Sequence, residues 1–174
     1  MRKIPTYLLS AGVILGSIGG GAFYLHQQEV NQYVTPHEQK VIAKNPKLLK
    51  MDKLPFVNKK EDQMVSFKSK VNFDKFIKSQ NKFPIQLVFY KNTCPYCNAA
   101  LPAVYKADDK KSAYYINVNE DENKTILLSL TGQSSTPAST IVEYKNQDTT
   151  KIFDYALKQE KPQADLSSIE KAFD

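Results

Sequence analysis

Thr93-Cys94-Pro95-Tyr96-Cys97 holds the only two cysteines in a chain of 174 residues, and its neighbours decide the fold. Before it lies the apolar run Ile85–Tyr90, short and rich in β-formers, which reads as a core strand. After it, residues 98–105 (Asn-Ala-Ala-Leu-Pro-Ala-Val-Tyr) read as helix. A Cys-x-x-Cys at a strand–helix junction favours thiol chemistry. A thiol in the first helical turn faces unpaired backbone N–H groups and the positive end of the helix dipole. Both stabilise a thiolate, so the first cysteine is expected to be acidified and reactive. Cys97 returns to the same helix face and closes a small disulfide ring with Cys94. Pro95 suits the first helical turn, where its missing N–H is no loss.

Two blander roles compete. A structural disulfide across three residues closes almost no loop and removes little unfolded-state entropy. Half a zinc site would need two further ligands, and the only histidines are His26 and His37, both far upstream beside an apolar segment. No metal and no cofactor is therefore expected, and redox chemistry takes precedence.

The strand, Cys-Pro-Tyr-Cys and helix resemble the active site of the thioredoxin superfamily, with the Pro-Tyr dipeptide common in glutaredoxins. Pro102, five residues after Cys97, stands where thioredoxins carry the proline that kinks the active-site helix. Thr136-Pro137 opens another apolar run, 138–144, close to the spacing at which the superfamily places its cis-proline facing the disulfide. The resemblance covers residues 61–174. It implies an α/β, thioredoxin-like fold, a central mixed sheet flanked by helices. It makes Cys94 the nucleophile and Cys97 the resolving thiol, with Pro95, Tyr96, Thr136 and Pro137 as substrate-binding residues. The backbone at Thr136 would pair with an extended substrate strand. The chain also departs from the pattern. Val88 stands where many thioredoxins bury an aspartate that assists the second thiol, and Thr93 replaces the tryptophan before the first cysteine.

Residues 1–25 differ from the rest. Arg2 and Lys3 precede residues 4–25, which carry no charge and are long enough to span a bilayer as a helix. The stretch is long for a signal peptide and lacks a clear A-x-A site, although processing near Gly21-Ala22 remains an alternative. With Arg2 and Lys3 on one side and no lysine on the other before Lys40, the positive-inside rule leaves the N-terminus in the cytoplasm and the C-terminal domain outside. Residues 26–60, polar and interrupted by Pro36, Pro46 and Pro55, read as a stalk or linker. The net charge is +6, but the lysines are dispersed among acidic residues without a basic stripe, so nucleic-acid binding is not expected.

Within 61–174 the pattern predicts an opening strand over 64–71 and a helix over 72–80 with Phe73, Phe76 and Ile77 on one face. Residues 112–118 read as a strand, and 123–130 as a helix capped by Gly132. A hairpin follows over 138–144 and 149–154, then a last helix over 165–173. Ser167 with Glu170 has capping-box spacing, and Asp165 is the alternative cap.

These readings converge on a membrane-anchored thiol–disulfide oxidoreductase acting on disulfides of exported or surface proteins, fed by a redox partner protein. The resemblance extends to proteins found beside bacterial secretion, conjugation and bacteriocin-export systems. The competing class is a thioredoxin-fold binding or scaffold module of such an apparatus, with the Cys-x-x-Cys incidental.

Overall fold

The computed structural model describes residues 36–44, 63–108, 113–135, 137–145 and 148–174. The expected anchor over 1–25, most of the expected stalk, and Thr136 lie outside these residues. Among the described residues no helix is long and apolar enough to cross a membrane. All of them belong to one compact unit.

The order is α1 (Pro36–Lys44), β1 (Met64–Val65), α2 (Lys70–Lys78), β2 (Ile85–Tyr90), α3 (Pro95–Ala107), β3 (Tyr114–Asn117), α4 (Asp121–Thr131), β4 (Thr140–Lys145) and β5 (Asp148–Asp154). The small pair β6 (Ala156–Leu157) and β7 (Gln163–Ala164) then leads into α5 (Leu166–Phe173). The protein is α/β: a mixed five-stranded sheet ordered β1-β3-β2-β4-β5, with helices on both faces. Strands β1, β2 and β3 are parallel, while β4 runs antiparallel to both β2 and β5.

β2 explains the layering. All six of its residues are buried, and successive side chains point to opposite faces. Ile85, Leu87 and Phe89 join Phe73 and Ile77 of α2 and Ile126 and Leu127 of α4 in one core. Val88 and Tyr90 join Ala100, Leu101 and Val104 of α3 and Ile169, Ala172 and Phe173 of α5 in the other. Removing each valine, leucine, isoleucine or phenylalanine among these from water contributes about 1.5–3 kcal/mol. The site helix α3 is thus pressed onto the sheet from one side while α2 and α4 support it from the other.

Several local expectations are corrected. The opening strand stops at Val65, because Ser69 turns the chain into α2 by accepting the Asn72 N–H at 3.3 Å. Helix α2 therefore starts at Lys70, two residues earlier than its periodicity indicates. Phe76 is only half-buried, held edge-on against Tyr114 at 4.8 Å between ring centroids. Gly132 does cap α4, at φ 64°. Helix α5 is capped by Asp165, which accepts the Ser168 N–H at 3.1 Å, and not by Ser167. The β6–β7 pair went unpredicted because strands of two residues carry too little periodicity to read. Within the expected stalk, residues 36–44 form α1, whose Val41 is buried in the same cluster as α3 and α5.

Asn123 ties the sheet edge to α4. Fully buried, its Oδ1 accepts the Phe67 N–H at 3.0 Å and its Nδ2 donates to the Asn117 carbonyl at 2.9 Å. Asn123→Ala is expected to cost about 1–3 kcal/mol, because the buried Phe67 N–H and the half-buried Asn117 carbonyl lose their partner. Urea unfolding measures this directly, and a loss below about 0.5 kcal/mol would show the clamp to be idle.

Candidate functional site

β2 ends at Tyr90, a short turn follows, and α3 begins at Pro95, so Cys94 falls at the N-cap of α3. Its backbone is extended, with φ −85° and ψ 116°, and its N–H donates to the Lys91 carbonyl at 3.0 Å. The Cys94 sulfur takes the role usually given to a serine or aspartate oxygen, accepting the Cys97 N–H at 3.3 Å. That bond and the aligned peptide dipoles favour negative charge on the Cys94 sulfur. Pro95 occupies the first turn as expected, and α3 continues through Pro102 to Ala107.

Both cysteines are free thiols in buried positions. They are not equivalent. Cys94 keeps 5% of its surface exposed and Cys97 none, so an incoming disulfide meets Cys94 first. Burial pushes the Cys97 thiol well above its ordinary value, and the neighbouring Cys94 adds to the rise. The Lys91 backbone and the Tyr155 hydroxyl oppose it.

Sheet register assembles the rest of the site. Phe89 near the end of β2 pairs with Thr140 at the start of antiparallel β4, and Thr140 pairs with Asp154 at the end of β5. The segments carrying Cys94, Pro137 and Tyr155 therefore leave the sheet at the same edge. This is also the carboxyl end of the parallel strands, where α/β sheets bind their ligands. Pro137 is half-buried, and its carbonyl accepts the Thr140 hydroxyl at 2.6 Å. Tyr96 is 6% exposed and packed in the α3 core, so it offers substrate little of its ring. Thr93 is buried beside Cys94, and its Oγ1 has no hydrogen-bond partner. Around the turn, Asn98 Nδ2 donates to the Asn92 carbonyl at 2.9 Å and Asn119 Nδ2 to Asn92 Oδ1 at 2.5 Å, fixing the entry to α3.

Tyr155 is the site residue that the sequence did not flag. Fully buried between β5 and β6, its hydroxyl donates to the Phe89 carbonyl at 3.0 Å, and it lies in the same buried cluster as the Cys97 thiol, so that each raises or lowers the other's ionisation. Burial first, and then the Cys97 charge, push its ionisation well above the ordinary tyrosine value. Nothing local distinguishes this tyrosine from the nine others in the chain.

The buried hydroxyls and thiol give a pH signature. Burial raises Tyr90 from 10.0 to about 12, and raises Tyr155, Tyr115 and Cys97 as well. Below the unfolded chain's values, both states hold these protons and the stabilisation is complete. Above them, the unfolded chain releases protons that the fold retains, so stability falls until the folded values are passed. The reduced protein should therefore lose urea resistance steadily between about pH 9 and pH 12. A midpoint that stays flat across that window would contradict the burial assigned to these groups.

Among the described residues, no group of three or more histidine, cysteine or carboxylate side chains could hold a metal ion. No protein-family model, curated protein or solved structure matches this chain.

Proposed function

We propose that the chain is a thiol–disulfide oxidoreductase of thioredoxin-like fold. In this reading it is held to the outer face of a bacterial membrane by residues 1–25 and acts on disulfides of exported or surface proteins. One observation carries the reading: Cys94 caps α3 with its sulfur on the Cys97 N–H, while Cys97 lies fully buried one turn behind. That geometry supports a fixed order of attack. The Cys94 thiolate attacks a substrate disulfide, forming a mixed disulfide and releasing one substrate thiolate. Cys97 then attacks the Cys94 sulfur. The Cys94–Cys97 bond forms, the bond to substrate breaks, and the electron pair leaves with the second substrate sulfur. The two cysteines are oxidised and the substrate is reduced to two thiols. The reverse sequence donates the disulfide. In this reading Pro137, whose segment leaves the sheet at the same end as Cys94, lines the substrate path, with the backbone of Thr136 as the substrate's partner.

The full chain equilibrated in glutathione redox buffers, followed by thiol trapping, tests the activity. A reversible Cys94–Cys97 disulfide with a potential between about −120 and −230 mV is expected, in the range of disulfide donors, isomerases and glutaredoxins. A value near about −270 mV would make the protein a reductase fed with electrons. Absence of a disulfide at every poise would return the chain to the scaffold reading. The topology is tested by a membrane-impermeant thiol reagent, which should label Cys94 in intact, reduced cells. Labelling only after lysis would reverse the orientation.

A further inference from the structure

We propose that Tyr155 is the positioning residue for Cys97. Its buried hydroxyl turns from the Phe89 carbonyl to the Cys97 sulfur and holds that sulfur as a thiolate while it attacks the Cys94 mixed disulfide. The proposal rests on the disulfide-exchange reading above.

A fully buried thiol must become an anion before it can resolve a mixed disulfide, and an apolar pocket opposes that anion. Val88, standing where the resemblance would have a carboxylate, lies fully buried in the same cluster as Cys97 and offers no charge. The titratable groups acting on Cys97 are Cys94 and Tyr155. Once Cys94 is bound in a mixed disulfide it carries no charge and no proton, which leaves the tyrosine hydroxyl. Those acting on Tyr155 are the two cysteines and Asp154. The Asp154 carboxylate is engaged elsewhere, accepting the Ser139 hydroxyl at 2.6 Å and pairing with Lys158 at 2.8 Å.

The hydroxyl is held in place from both sides along the main chain. The Tyr155 N–H donates to the Ser139 carbonyl at 2.9 Å, and its carbonyl accepts the Asp165 N–H at 3.0 Å. The ring is thereby fixed between the entry to β4 and the cap of α5. A phenol has one proton to donate and two lone pairs to accept with. With Cys97 protonated, the hydroxyl donates to the Phe89 carbonyl, as observed. With Cys97 ionised, donation to the sulfur wins, because a hydrogen bond to a charged partner is roughly twice as strong as a neutral one. Burial raises the hydroxyl's own ionisation, so it keeps its proton and remains a donor throughout. The proton that leaves Cys97 ends on the departing substrate thiolate, not on the tyrosine.

Tyr155→Phe keeps the ring and removes only the hydroxyl. With glutathione disulfide as the probe, the full-length variant should form the Cys94–glutathione mixed disulfide at the wild-type rate. Resolution by Cys97 should slow by about tenfold to a hundredfold at neutral pH, matching loss of one hydrogen bond to a charged group. Its pH profile should move to higher pH, and the Cys97 Cβ chemical shift should titrate upward with it. Resolution at the wild-type rate with an unmoved profile would overturn the proposal. So would an equal slowing of both steps, which marks a purely structural tyrosine. If wild type itself forms neither the mixed disulfide nor the Cys94–Cys97 disulfide, the oxidoreductase reading fails first and takes this one with it.

Discussion

Replacing Cys94 by serine in the full chain is expected to abolish disulfide exchange completely while leaving the fold intact. Serine is among the best N-cap residues, and its oxygen can accept the Cys97 N–H that the sulfur now accepts at 3.3 Å. Unfolding stability should therefore change by less than about 1 kcal/mol. The chemistry has no substitute, because a hydroxyl neither ionises at working pH nor attacks sulfur. Cys97 cannot take over, since it has no exposed surface for a substrate disulfide to reach. Cys97→Ser should behave in the opposite way. Cys94 still attacks glutathione disulfide, but nothing resolves the product, so a glutathione adduct on Cys94 accumulates and is visible by intact-protein mass. If Cys94→Ser still exchanged disulfides, or if Cys97→Ser failed to trap the adduct, the assigned order of attack would be wrong. A wild-type phenotype for Cys94→Ser in a cellular assay that needs the protein would favour a scaffold.

Leu101→Ala should produce one of the largest losses of stability for a single side chain, about 2–5 kcal/mol. Leu101 lies on α3 without any exposed surface, in the cluster that joins α3 to Val88, Ile141 and α5. Truncation removes the transfer free energy of the lost methyl groups and leaves a void that the rigid sheet cannot fill. Against a typical domain stability of about 5–15 kcal/mol, that loss alone threatens folding at physiological temperature. Where the variant folds, α3 should loosen against the sheet, and resolution by Cys97 should slow before attack by Cys94 does. Cys94 is held by the turn and the N-cap, whereas Cys97 depends on how the helix seats. A loss below about 1 kcal/mol would mean that the two faces of the sheet are not packed as described.

How much of this was legible in the sequence depends on the range over which each interaction acts. Ile85–Tyr90, the position of Cys94 before a helix, the helix proline and the Gly132 cap follow from local rules. Side-chain alternation, capping and backbone preference act within a few residues. The mixed sheet with helices on both faces was what the resemblance implied for that order of elements, and the structure has that architecture. Local signals also misled where two were in competition. The alternation over 64–71 promised a long strand, but Ser69 ended it by capping α2.

Only tertiary structure brought Tyr155 to Cys97. The tyrosine's neighbours in sequence carry no thiol chemistry, and its role arises from the register of β5 on β4 and of β4 on β2. The same pairing carries the Pro137 segment to the edge where Cys94 sits. It was also tertiary packing that drew Val41 of α1 out of a proline-interrupted polar stretch and into the core beside α3. A sequence states which residues prefer to be buried and which can react. Which buried group stands against which reactive one depends on pairings between distant segments, and those form only when the whole sheet closes.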